Sequence, residues 1–139
     1  MLTTMGGASG VVFGSLFLAG GTTLQGADYF GSHELAHLLN RALADVMERG
    51  GAKPGDKTMI DALHPAAVTA TKNLSSPLPD SLQATAQAAR DGMEASKDMI
   101  ATMGRAKTLG EKSLGLPDAG AISVTIILET MRDTAHAKR

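Results

Sequence analysis

The chain has 139 residues with 13 basic and 14 acidic side chains, for a net charge of −1; the length suits one domain, and the charge balance lacks the footprint of a nucleic-acid binder. Twenty-two residues are Ala, only 10 are Val or Ile, and the aromatics are Phe13, Phe17, Tyr29 and Phe30, a composition that favours closely packed helices over sheet. Cysteine is absent, which excludes a disulfide scaffold, a Cys-based zinc site and thiol catalysis.

Five principal helices are predicted. The first, from about Ser9 to Leu24, carries Val12, Leu16 and Ala19 at helical spacing, with Gly7, Gly10 and Gly14 on one side of it. Ser32 is the expected N-cap of a second helix to about Arg49, striped by Leu35, Leu38, Leu39, Ala42, Val46 and Met47. Residues 50–57, GGAKPGDK, form the clearest break, with Gly50 and Gly51 at a helix C-terminus and a turn at Pro54-Gly55. Asp56 is the expected N-cap of a third helix through Met59, Ile60, Leu63 and Ala67, which Pro65 should kink or end. A Ser/Pro loop leads to an Ala-rich helix from about Asp80 to Met103, followed by an extended glycine-bearing loop over 104–117. Asp118 is the expected N-cap of the last helix, with Ile122, Ile126, Ile127 and Met131 inward and a basic tail.

The most apolar stretch, Val11 to Gly21, has 11 residues, against the ~20 that a spanning helix needs. No Lys or Arg precedes Arg41, so a signal peptide would lack its basic n-region. No membrane segment is expected, and the cytoplasm is the expected location.

Three glycine-rich junctions precede helices: GGASG at 6–10, GAKPGDKT at 51–58 and GLPDAGA at 115–121. Unpaired N–H groups and the helix dipole suit such ends to phosphate, and glycine lets an anion approach the backbone. Neither the P-loop nor the dinucleotide fingerprint occurs.

In order and in letters, GGASGVVFGSLFL at 6–18, P-G-D-K-T-M-x-D-A-L-x-P at 54–65 and GRAKTLGEKSLGLPDAGA at 104–121 resemble the dihydroxyacetone (glycerone) kinase L domain over nearly the whole chain. The resemblance implies an all-α fold, part of an antiparallel helical barrel with ADP or ATP at one mouth, and treats residues 1–139 as a single nucleotide-binding kinase L domain. It places Ala8 and Ser9 on the nucleotide phosphates, and Gly50 or Gly51 with Met59 around base and sugar, where a polarizable thioether suits an adenine face. Arg105 of the G-R-A motif approaches the phosphates, a role that fits a guanidinium fork. Asp118, Ala119 and Gly120 match a turn, normally D-P-G, that closes over the nucleotide; Ala119 replaces the proline.

The same resemblance calls for a G-D-x-D-H-G-x-N motif upstream of GGASG, whose acids hold two Mg²⁺ ions. Only five residues precede Gly6, so no metal ligand and no catalytic residue is assigned, and the N-terminal metal-binding helices are expected to be missing. Asp28 and Asp45 read as surface residues. Uncovered barrel stripes would need a second copy of the chain or another chain against them. His33 and His37 share a helix face and match the letters H-E-x-x-H, but no third ligand completes a metal site. His64 and His136 match no family position.

The leading expectation is the ADP-binding phosphotransferase subunit of a phosphotransferase-system-dependent dihydroxyacetone kinase. Its partners would be a phospho-histidine donor subunit and a subunit holding dihydroxyacetone. The alternatives are a fragment of an ATP-dependent dihydroxyacetone kinase, or a non-catalytic remnant that serves as a scaffold.

Overall fold

Apolar residues at helical spacing account for every regular element that a computed structural model describes, over residues 30–101 and 110–137. The described α-helices are α1 (Ser32–Gly50), α2 (Ile60–Lys72), α3 (Leu78–Ala95) and α4 (Ala119–Ala137), with a 3-10 turn at Ser96–Asp98. No strand occurs among the described residues, in keeping with the all-α expectation. The helix expected near 9–24 lies outside them.

Helix α1 buries Leu35, Leu39, Ala42 and Val46, its expected stripe. Its entry differs from expectation. Gly31, not Ser32, is the N-cap, and the Gly31 N–H donates to Glu34 Oε1 at 2.9 Å. The Ser32 hydroxyl is thereby free to donate to the Ser76 carbonyl beyond the end of α2. Asn40 donates to Thr71 Oγ1 at 2.8 Å, so the start of α1 faces the end of α2 and the pair runs antiparallel.

Helix α2 does not start from Asp56, which sits in the preceding turn and accepts the Lys53 N–H at 3.0 Å. Pro65 lies inside α2 and does not end it. Proline has no N–H to give the carbonyl four residues earlier, here that of Asp61. The same carbonyl faces Gly92 near the end of α3, where a Cβ would stand 2.0 Å from Asp61 O and 2.9 Å from Pro65 Cγ. Glycine at 92 lets α3 approach α2 along a seam of Ala62, Ala66 and Ala70 with Ala86 and Ala89, all buried.

Helix α3 stops at Ala95, short of the expected Met103. Ser96 is fully buried; its hydroxyl donates to the Met93 carbonyl at 2.6 Å, and Met99 is already extended. On α4 the buried residues are Ala121, Val124, Thr125 and Leu128. Ile122, Ile127 and Met131 are half-buried against that core. Ile126, expected inward, is 55% exposed, because the packed face runs through positions one and two residues before it. Arg90 of α3 grips Glu129 of α4 through two bonds of 2.6 and 2.8 Å, and Ser96 meets Asp118 at the other end. These two helices therefore also run antiparallel.

Candidate functional site

The connection between α1 and α2 is shaped by two left-handed glycines and one buried acid. Gly51 (φ 69°) closes α1 and Gly55 (φ 100°) completes the turn after Pro54. A Cβ at either would meet nothing within 4 Å, so this rim of backbone faces open space. Asp61, only 6% exposed, reaches back from the first turn of α2. Its Oδ1 accepts the Gly55 N–H at 2.7 Å and its Oδ2 the Thr58 N–H at 2.9 Å. Thr58 Oγ1 in turn accepts the Ile60 N–H at 3.2 Å, so two side chains take up main-chain donors at the start of α2.

Between them stands Lys57, 3% exposed and the one non-glycine residue with positive φ (60°) among the described residues. Its ammonium donates to the carbonyls of Met99, at 3.1 Å, Ser113 and Leu116. An ammonium has three N–H donors, and three carbonyls meet them. The two stretches gathered there are also tied to each other. The Gly115 N–H donates to the Lys97 carbonyl at 2.7 Å, the Ala101 N–H to Ser113 Oγ at 3.0 Å and the Asp118 N–H to Ser96 Oγ at 3.0 Å.

That lacing brings the start of α4 against the start of α2. Asp118 caps α4 as expected, its Oδ2 accepting the Ala121 N–H at 2.9 Å. At Gly120 a Cβ would lie 3.1 Å from Met59 Cβ and 3.4 Å from Met59 N, so the glycine permits close approach of the two elements. Burial pushes the Asp118 carboxyl above the usual carboxylate range, against the backbone N–H groups of Ala121 and Gly120. The charge of Asp61 adds to that rise and the Lys57 ammonium opposes it.

Of the sequence-predicted site residues, Met59, Asp118, Ala119 and Gly120 are therefore brought together. Met59 is 5% exposed and belongs to the core, so it is a floor beneath Gly120 rather than an open platform. Gly50 and Gly51 stand at the far end of the same loop, at the close of α1. Ala8, Ser9 and Arg105 lie outside the described residues. Two of the glycine junctions also differ from the expected anion cradles: Asp61 occupies N–H groups before α2, and Asp118 those that open α4.

Sequence reasoning passed over Lys57, Asp61, Ser96 and Ser113. For Asp61 a signal was present, since T-M-I-D at 58–61 has capping-box spacing. The partners of Lys57 lie 42 to 59 residues away, and no local pattern announces them. His33 and His37 are exposed, and among the described residues no group of three His, Cys, Asp or Glu is placed to hold a metal ion. Nor is any described helix long and apolar enough to cross a membrane.

The chain is similar to known proteins over most of its length. The chain is 39% identical over 128 residues to the L-erythrulose kinase of Pectobacterium atrosepticum, covering 91% of this chain and 22% of that one. It is 34% identical over 135 residues to the ADP-binding subunit DhaL of the PEP-dependent dihydroxyacetone kinase of Escherichia coli, covering 94% of this chain and 63% of the subunit. The crystal structure of the dihydroxyacetone kinase from C. freundii in complex with AMP-PNP and Mg²⁺ superimposes with a TM-score of 0.64 at 34% identity, over 94% of this chain and 20% of that one. The chain thus spans about a fifth of the longer kinases and under two thirds of the DhaL subunit. The DAK2 domain matches residues 1–133, and the chain belongs to that family.

Proposed function

We propose that this chain is the nucleotide-binding part of a short-chain ketose kinase, working as the ADP-binding subunit of a phosphotransferase-system-dependent dihydroxyacetone kinase. The observation that carries the reading is the close approach of Gly120 to Met59, which joins two of the family's nucleotide motifs at one place. The described part of the site suits the nucleoside end of ADP. Gly51 and Gly55 leave an open rim, and Met59, buried beneath Gly120, brings the start of α4 close to that of α2. The phosphates belong, by the family resemblance, to Ala8, Ser9 and Arg105.

Phosphoryl transfer is mainly a matter of positioning and charge neutralisation. Mg²⁺, when bound, supplies much of that neutralisation, and among the described residues no ligand cluster is placed for it. The chain's own contribution is to hold the nucleoside in a fixed place. A phospho-histidine donor subunit and a ketose-binding subunit would complete the relay. A second reading, a four-carbon ketose as acceptor, is favoured by the 39% and 32% identities to erythrulose kinases.

Methyl-detected NMR of the methionine-labelled protein tests the site. Addition of ADP with Mg²⁺ is expected to shift the Met59 methyl and the Gly120 amide together. Saturable ADP binding that leaves both unmoved would refute the placement, and no binding at all would favour the scaffold alternative.

A further inference from the structure

We propose that Lys57 is a positioning residue whose ammonium fixes the Asp118–Gly120 turn over Met59, and so sets nucleotide affinity without touching the nucleotide. The inference rests on the nucleotide-site reading above, but its structural half stands by itself. Lys57 is buried at 3% exposure, and its three donors are all used on main-chain carbonyls of Met99, Ser113 and Leu116. No donor is left for a ligand.

The constraint passes to the site through stiff links. Leu116 is followed by Pro117, whose ring fixes φ, and then by Asp118, whose N–H is held by Ser96 Oγ. Once Lys57 has the Leu116 carbonyl, little freedom remains before Gly120 meets Met59. At the other end, Lys57 is clamped between Asp56 and Thr58 in a left-handed conformation that disfavours side chains with a Cβ. Glycine would serve the turn without that cost, so what the lysine adds is its side chain and the three carbonyls it holds.

Three substitutions and one measurement on the unaltered protein decide the matter. In the unaltered chain, the Lys57 ammonium is expected to give a persistent proton-detected ¹⁵Nζ signal with contacts to residues 99, 113 and 116. A solvated lysine gives none, and its absence would overturn the proposal even if every variant failed to fold. In Lys57→Met, the amides of Ala101, Gly115 and Asp118 are expected to exchange at least about tenfold faster while α1 amides do not change. ADP affinity should fall by about tenfold or more, the scale of one lost charge-assisted hydrogen bond. Lys57→Gly, which relieves the backbone, should behave like Lys57→Met. Lys57→Arg, whose planar fork cannot meet three carbonyls converging on one nitrogen, should not rescue either readout. Lys57→Gly with protected amides and unaltered ADP affinity would show a role confined to the turn and overturn the proposal. If the unaltered chain binds no ADP, the nucleotide reading falls, and amide exchange with the ammonium signal still decides whether Lys57 holds the turn.

Discussion

Replacing Gly92 by alanine sets two effects of opposite sign against each other. In a helix interior, alanine is favoured over glycine by about 1 kcal/mol, so on propensity alone Gly92→Ala would stabilise α3. The structure reverses that sign. The new Cβ would lie 2.0 Å from the Asp61 carbonyl oxygen, 2.9 Å from Pro65 Cγ and 3.1 Å from the Asp61 carbonyl carbon. Two of these three neighbours are main chain and the third is a proline ring, so no rotamer change relieves the contact.

Relief requires α3 to withdraw from α2 by roughly an ångström, and the loss then spreads along a seam packed to crystal-like density. Overpacking of this kind costs about 1–3 kcal/mol and more where backbone must move. Because the contact is with main chain that must move, the cost is taken as about 3–4 kcal/mol. Less the propensity gain of about 1 kcal/mol, a net loss of about 2–3 kcal/mol is expected, which for a chain of this size lowers the melting temperature by roughly 7–10 °C. Thermal and urea unfolding of Gly92→Ala measure this directly. Unchanged or increased stability would refute the close approach of α3 to the Asp61 carbonyl.

Two carboxylates should give opposite pH signatures. Arg90, chiefly by its hydrogen bond, holds the Glu129 carboxyl below the usual range, so its contribution is full above the unfolded value near ~4.3 and is lost as pH falls through the lower folded value. In urea unfolding against pH, Glu129→Gln should be less stable than the unaltered chain at neutral pH, and the two curves should converge in acid. Burial raises the Asp118 carboxyl, so its contribution is full below the unfolded value and is lost as pH rises through the higher folded one. Asn caps helices as well as Asp does, so Asp118→Asn should match or exceed the unaltered chain near neutrality and lose that advantage in acid; a neutral-pH penalty above about 1 kcal/mol would contradict this balance.

Helix existence was legible because each helix buries a stripe, and a stripe is a local pattern. Leu35, Leu39, Ala42 and Val46 declare α1 without reference to the rest of the chain. Helix ends were less legible, because long-range partners claim the end groups. Ser32 reads as a cap until Ser76, 44 residues away, takes its hydroxyl. The Ala-rich pattern after Asp80 continues past Ala95, yet Lys57 withdraws the Met99 carbonyl from any helical ladder. Asp118 was readable because its cap is local. At the site, motif letters pointed to Met59, Asp118 and Gly120, and the T-M-I-D spacing held a signal for Asp61, whereas Lys57 emerged only from the contacts it makes.

For the nucleotide site proposed here, the capping of α2 and α4 bears on which end of the ligand this surface suits. Glycine-rich helix starts favour anions because their N–H groups are unpaired. Here Gly55 and Thr58 donate to Asp61, and Ala121 donates to Asp118, so these donors are spent on carboxylates the chain itself provides. The charges of Asp61 and Asp118 are close enough for one to raise the other, and a phosphate placed beside them would meet repulsion. A neutral base and sugar would not, and the open glycine rim and apolar Met59 suit that end of the molecule. In the proposed nucleotide site, the polyphosphate would then point away from the Asp61 and Asp118 carboxylates. On the proposed reading, the two helix starts would flank the nucleoside, and their own acids would disfavour the charged end there.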